Sequence, residues 1–175
     1  MAGVSGSNPD GSIQSMSIQY LEGDATRPPK GPPSIIAHIC NDQGKWGKGF
    51  VLALSERWRE PEQSYRVWYH KGTSGGFRLG ALQVVPIEVN LWVANMVAQR
   101  DIRWSDQGPP IRYAALREAL QQLAQEATLL EASVHMPRIG CGLAGGSWDK
   151  IEPLIQETLC EAQIPVFVYN IPGSK

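Results

Sequence analysis

Twice in this chain a short apolar run gives way to a glycine-rich loop and then to a helical stripe. The first is Ser34–Cys40 (SIIAHIC), followed by Asn41–Gly49 (NDQGKWGKG) and by apolar residues at 50, 51, 54 and 58. The second is Val134–Met136, followed by residues 137–146 (PRIGCGLAGG) and by Ile151, Leu154, Ile155 and Leu159. A β-branched apolar run reads as a buried strand, and a stripe at helical spacing reads as one face of a helix. Helices placed between strands require crossover connections, so the pattern restricts the chain to the α/β class.

The intervening segments agree. Met16–Leu21 alternates apolar and polar residues, as a half-buried strand does. Residues 26–33 hold four prolines and read as loop. Pro61 suits the first turn of a second short helix running to about His70. Leu82–Glu88 and Leu91–Val97 read as neighbouring strands, with Pro86 putting the first at an edge or a bulge. Over Ile111–Leu130, residues 116, 120, 123, 127 and 130 repeat at spacings of 4, 3, 4 and 3, one face of a long helix. Pro153 is expected in the first turn of the last helix, which then begins between Asp149 and Glu152. Pro165–Ile171 completes the set as a strand. The expectation is a mixed sheet flanked by helices. Residues 1–15 are small, polar and glycine-rich and read as a disordered arm or leader, leaving 16–175 as one domain. A length of 175 with 42% hydrophobic and 19% charged residues suits one core.

Several function classes fall away. No stretch reaches the length of a membrane span. With 16 basic and 17 acidic residues, nothing marks a surface that tracks a long polyanion, so no nucleic-acid partner is expected. The three cysteines, Cys40, Cys141 and Cys160, include no Cys-x-x-Cys pair and read as reduced thiols of a cytosolic or nuclear protein; we expect a cytoplasmic one. His38, His70 and His135 lack zinc-site spacing, so no metal is expected.

In open α/β sheets, ligands bind beyond the carboxyl ends of the strands. Glycines 44, 47 and 49 let the first loop approach a ligand, the helix behind them supplies free N–H groups, and Lys45 and Lys48 add charge. Four glycines among residues 140–146 suggest a second anion cradle, and two such loops would clasp a diphosphate. Arg138 either faces that phosphate or braces the loop. Cys141 sits at the loop tip with no histidine placed by sequence to activate it. After the first strand, Asp24 either accepts a hydrogen bond from a purine amine or caps a turn. Tyr169 either stacks on a base or fills the core. Trp46 either covers a ribose or anchors its loop.

These pieces together resemble a macrodomain: Gly23-Asp24, then Asn41-Asp42 ahead of Gly47-Lys48-Gly49, then residues 137–143, then Val168-Tyr169. The likeness spans Met16 to Ile171, and "VHMPRIGCGLAGG" and "HICNDQGKWGKGF" carry most of it. The nearest branch holds terminal ADP-ribose protein glycohydrolase and the macrodomain of a chromatin remodeller. The resemblance implies a three-layer α/β/α sandwich with a mixed six-stranded sheet and a cleft for ADP-ribose. It implies that Asp24 and Ala25 meet the adenine, with Tyr169 beside it and Asn170 close. Gly140, Cys141, Gly142, Leu143 and Ala144 would wrap the diphosphate from one side, and Trp46, Gly47, Lys48 and Gly49 from the other. Asn41 would face the distal ribose.

The glycohydrolase of that branch uses a lysine at the end of the fourth strand and an aspartate after its Gly-Cys-Gly-Leu run. The resemblance puts Ala98 and Ala144 at those positions, so a lysine-based mechanism is not implied. Asn41, Asp42 or Gln99 would instead position a water. The implied function is binding of ADP-ribose and hydrolysis of mono-ADP-ribose from proteins modified at Asp or Glu through an ester. The alternatives are a non-catalytic reader of ADP-ribose and an ADP-ribose 1''-phosphate phosphatase. ADP-ribose is then ligand or product, no cofactor is needed, the macromolecular partner is a mono-ADP-ribosylated protein, and a monomer is expected.

Overall fold

The computed structural model describes residues 16–172; the arm assigned to residues 1–15 lies outside them. Ten main elements follow the expected order: β1 (Gln19–Glu22), β2 (Ser34–Asn41), α1 (Phe50–Arg57), α2 (Glu60–Lys71), β3 (Leu82–Glu88), β4 (Leu91–Gln99), α3 (Tyr113–Leu130), β5 (Ser133–Met136), α4 (Trp148–Ile155) and β6 (Val166–Asn170). They form one six-stranded sheet in the order β1-β6-β5-β2-β4-β3. Only the edge strand β3 runs antiparallel to its neighbour. Its pairing with β4 shifts register between Pro86 and Glu88, the irregularity expected where proline removes a ladder donor.

Strand alternation sorts the core into two layers. From β2 and β4, Ile36, Cys40, Val93 and Val97 pack under α1 and α2. Ile35, Ala37, Ala94, Met96 and Ala98 pack under α3 and α4. The result is the three-layer α/β/α sandwich.

Three boundaries differ from the sequence expectation. β1 begins at Gln19, not Met16. α3 begins at Tyr113 because Ile111 is taken by an antiparallel bridge to Gln99 and Arg112 is extended. α4 begins at Trp148, so Pro153 lies inside the helix and not in its first turn. The helix runs on into a wider π-turn at Gln156–Cys160, where Thr158 Oγ1 donates 2.6 Å to the Leu154 carbonyl. A loosened turn beside a proline is where such a side-chain bond helps most.

The connections place the site. From β2 the chain crosses toward β3 and β4 on the α1/α2 face. From the adjacent β5 it crosses the other way, toward β6, through α4 on the opposite face. The two chains diverge at the carboxyl ends of β2 and β5, which opens a crevice there.

Candidate functional site

A cleft of about 700 Å³ fills that crevice. One wall is the loop after β2, including Lys45, Gly47 and Lys48; the other is the loop after β5, including Gly140, Gly142 and Leu143. Gly49 starts α1 with φ +85° and ψ −148°, a conformation closed to residues with a side chain. A Cβ there would lie 3.5 Å from Leu143 Cδ1, so the two loops meet across the cleft. Gly140 has φ +75°, and a Cβ on it would sit 2.6 Å from Ile111 Cδ1. The Gly146 N–H closes that loop onto the Gly140 carbonyl at 2.7 Å.

Among the described residues, the backbone N–H groups of Gly47, Lys48, Gly49, Gly142, Leu143 and Ala144 have no acceptor. Unpaired backbone donors on two loops that meet at one cleft are the kind of feature that can receive an anion. No group of three potential metal ligands gathers among the described residues. None of their helices is long and apolar enough to cross a membrane.

The side chains at the β4 end of the cleft are more engaged than the sequence suggests. Asn41 Oδ1 accepts from the N–H of Gln43 (2.9 Å), the N–H of Lys45 (3.1 Å) and the Tyr65 hydroxyl (3.0 Å). Its Nδ2 donates 2.9 Å to the Lys45 carbonyl. Asn41 therefore shapes the first loop from inside. Asp42 Oδ1 accepts from the Asp101 N–H at 2.7 Å. Gln99 lines the cleft, and its Nε2 donates 3.1 Å to the Asp101 carbonyl. Asp42 and Gln99 thus both grip the segment after β4. Ala98 is fully buried on the α3 side. A side chain at position 98 points away from the cleft, and strand alternation presents Gln99 instead.

Trp46 is 4% exposed and donates 2.8 Å from Nε1 to Ser55 Oγ, so it acts as the loop anchor. Arg138 donates 2.8 Å from Nε to Asn170 Oδ1 and lies over the rings of Tyr20 and Trp148, at 5.5 and 5.3 Å. This is the bracing alternative, made with an amide and two aromatic faces. Cys141 is half-buried; burial pushes its thiol up, and Arg138 offsets this only in part, which leaves a poor nucleophile. Ala144 lines the cleft.

Asp24, Ala25, Tyr169 and Asn170 gather at the carboxyl ends of β1 and β6, beside the cleft but not among the residues of its wall. Asp24 Oδ1 accepts 2.8 Å bonds from the Thr26 N–H and hydroxyl, the cap geometry, while its Oδ2 lies 3.6 Å from Arg27 Nε. Ala25 is buried. Tyr169 is buried too, with its hydroxyl 2.8 Å from His135 Nδ1.

His38 is the residue that sequence reasoning missed. It is 2% exposed and forms part of the cleft wall. Asn95 spends its Nδ2 on the Pro61 carbonyl and Gln83 Oε1, so its Oδ1 must accept, and His38 Nε2 donates to it at 2.5 Å. That assigns the proton to Nε2 and leaves Nδ1 a buried acceptor with no partner among the described residues. Burial lowers its pKa to about 4 despite the bond to Asn95, so the ring is neutral at pH 7. The available signal was alternation along β2, since position 38 shares a face with 36 and 40.

No family model matches the chain. Among curated proteins it is 34% identical over 172 residues to mouse chromodomain-helicase-DNA-binding protein 1-like, covering 93% of this chain and 19% of that one. The chain thus spans about a fifth of that relative's length. It is 24% identical to an ADP-ribose 1''-phosphate phosphatase of Candida albicans, over 80% of this chain and 92% of the phosphatase. Among solved structures, a macrodomain protein from Streptomyces coelicolor superposes with a TM-score of 0.79 at 49% identity, over 88% of this chain and 99% of that one. Sharing nearly half its residues with a protein it matches almost from end to end, the chain belongs to the macrodomain family.

Proposed function

We propose that this chain binds ADP-ribose in the cleft and hydrolyses mono-ADP-ribose from proteins, at ester linkages to Asp or Glu, without a lysine nucleophile. The observation that carries this reading is the pair of glycine loops that meet at the cleft, each with backbone N–H groups that have no acceptor among the described residues. Two such loops at one crevice suit a diphosphate held mainly by backbone donors. The adenine then lies toward Asp24 and Tyr169, and the distal ribose toward Gln99. Asp24 keeps unfilled acceptor capacity for the adenine amine, since its two bonds from Thr26 both go to Oδ1.

In the hydrolysis, a water attacks C1'' of the distal ribose. The C1''–O bond to the protein breaks, its electron pair leaves on the carboxylate, and the water's second proton passes to solvent. Gln99 Oε1 has no partner among the described residues and is the group that orients this water from the cleft wall. Asp42 and Asn41 act as positioning residues, one holding the segment after β4 and the other holding the first loop. The carboxylate leaves readily, so holding water and ribose in line and stabilising charge with fixed N–H donors suffices. Purified protein incubated with a Glu-linked ADP-ribosylated protein is expected to release ADP-ribose. A substrate left intact over hours removes the hydrolase reading.

A reader of ADP-ribose without turnover is the second reading. The observation in its favour is that all the polar atoms of the Asn41 side chain are already bonded within the protein. ADP-ribose binding without release from the modified substrate selects it.

A further inference from the structure

The segment after β4 is a small ordered projection beside the cleft mouth. Gln99 bridges to Ile111, Arg100 N–H donates 2.8 Å to the Pro110 carbonyl, and Ser105 and Gly108 exchange bonds of 3.0 and 2.9 Å. Asp42 clamps its base through the Asp101 N–H. Trp104 is 68% exposed and Ile102 40% exposed on this hairpin. The projection is continuous with the cleft: Ile102 and Arg103 line it, and the Trp104 ring lies against Gly145 of the second loop, where a Cβ would come within 3.0 Å of Cζ2. Trp104 and Ile102 thus leave apolar surface in solvent beside the cleft mouth, where a partner could cover it.

Basic side chains gather at this mouth: Lys45, Lys48, Arg66, Arg103 and Arg138 line the cleft. Arg27, Arg66, Arg78 and Arg117 each have a carboxylate partner, whereas Arg100 and Arg103 on the hairpin and Lys45 and Lys48 on the facing loop have none among the described residues. The hairpin's own carboxylates are Asp101, which accepts from the Ile102 N–H, and Asp106 at the turn.

We infer that the hairpin at residues 100–110 docks the polypeptide that carries the modification, taking a segment with acidic residues next to the ADP-ribosylated side chain. This rests on the proposed reading of the cleft. The geometry favours polypeptide over nucleic acid. One exposed tryptophan, the aliphatic Ile102 and just two arginines on the hairpin fit the side chains of a short segment, not a row of phosphates.

The test is calorimetric titration with free ADP-ribose and with peptides bearing ADP-ribose through a non-hydrolysable amide mimic of the Glu linkage. One peptide has acidic flanks and the other has serines in their place. The acidic peptide is expected to bind about tenfold tighter than free ADP-ribose, and the serine peptide no more than about twofold tighter. Arg100→Glu should erase that gain and leave the affinity for free ADP-ribose unchanged, and Trp104→Ala should also reduce the gain. Equal affinities for all three ligands overturn the inference, as does Arg100→Glu weakening free ADP-ribose and peptide in the same proportion. A single-stranded oligonucleotide bearing ADP-ribose that gains more than the acidic peptide also overturns it, in favour of a nucleic-acid surface. Free ADP-ribose failing to bind removes the reading of the cleft itself, an outcome distinct from the others.

Discussion

The two ends of the sheet carry cavities of similar size and opposite character. The cleft at the carboxyl ends of β2 and β5 measures about 700 Å³, and a second cavity at the amino ends of β2, β5 and β6 measures about 550 Å³. Glycine loops with unpaired N–H groups and two lysines wall the first. Pro29, Pro32, Pro33 and Pro165 border the second, and proline has no N–H to offer. Of the polar side chains at the second cavity, His135 holds Ser133 Oγ on one nitrogen and the Tyr169 hydroxyl on the other, both at 2.8 Å, and Gln163 Oε1 is a buried acceptor, not a donor, without a partner among the described residues. Volume is thus not what distinguishes a binding site in this fold. Donors left unpaired at the carboxyl ends of parallel strands distinguish it.

Acid is expected to have the largest effect, because a buried neutral histidine stands at each end of the sheet. Burial lowers the pKa of His38 and of His135 from 6.5 to about 4. The unfolded chain therefore binds these protons first. The stability they contribute is complete above about pH 6.5 and is lost as pH falls toward 4, by about 3 kcal/mol for each ring. Denaturant midpoints measured between pH 7 and 4.5 should fall accordingly. His135→Gln should remove about half of the decline, and an unchanged slope would contradict the assignment.

Gly140→Ala should break the cleft end. Its left-handed backbone and the Ile111 contact predict a loss of about 2–4 kcal/mol in thermal unfolding, with weakened ADP-ribose binding. Ala162→Trp, filling the proline-bordered cavity, should leave ADP-ribose affinity unchanged; a loss there would undo the contrast. Asp24→Ala should weaken ADP-ribose binding by about 1.5–3 kcal/mol if its carboxylate takes the adenine amine, and calorimetry showing no change refutes that role. The smallest effect concerns Cys141. Its raised thiol predicts alkylation by iodoacetamide at pH 7 slower than that of a free cysteine, read by mass spectrometry.

Much of this was legible in the sequence, for local reasons. β-Branched runs, the long leucine stripe of α3 and the glycine loops each report on their own segment, so element order and the two loops follow from the chain directly. Boundaries shifted where tertiary pairing intervened, as when Gln99 captured Ile111 and delayed α3. Pro153 lies inside α4 because the helix starts at Trp148, earlier than the proline rule places it. At the site, the resemblance implied that Asn41 faces the distal ribose and helps position a water, but its side chain is held by Tyr65, far along the chain, as well as by its own loop. The importance of His38 depends on Asn95, and partners so distant in sequence leave no local trace.

Titration with ADP-ribose and, in parallel, with adenosine asks whether the backbone donors of the two loops hold a diphosphate. If they do, ADP-ribose should bind at micromolar concentration and adenosine should bind weaker by about 100-fold or more, since the charge-assisted bonds to the diphosphate carry the affinity. No heat at millimolar ADP-ribose, or adenosine bound as tightly as ADP-ribose, would contradict it.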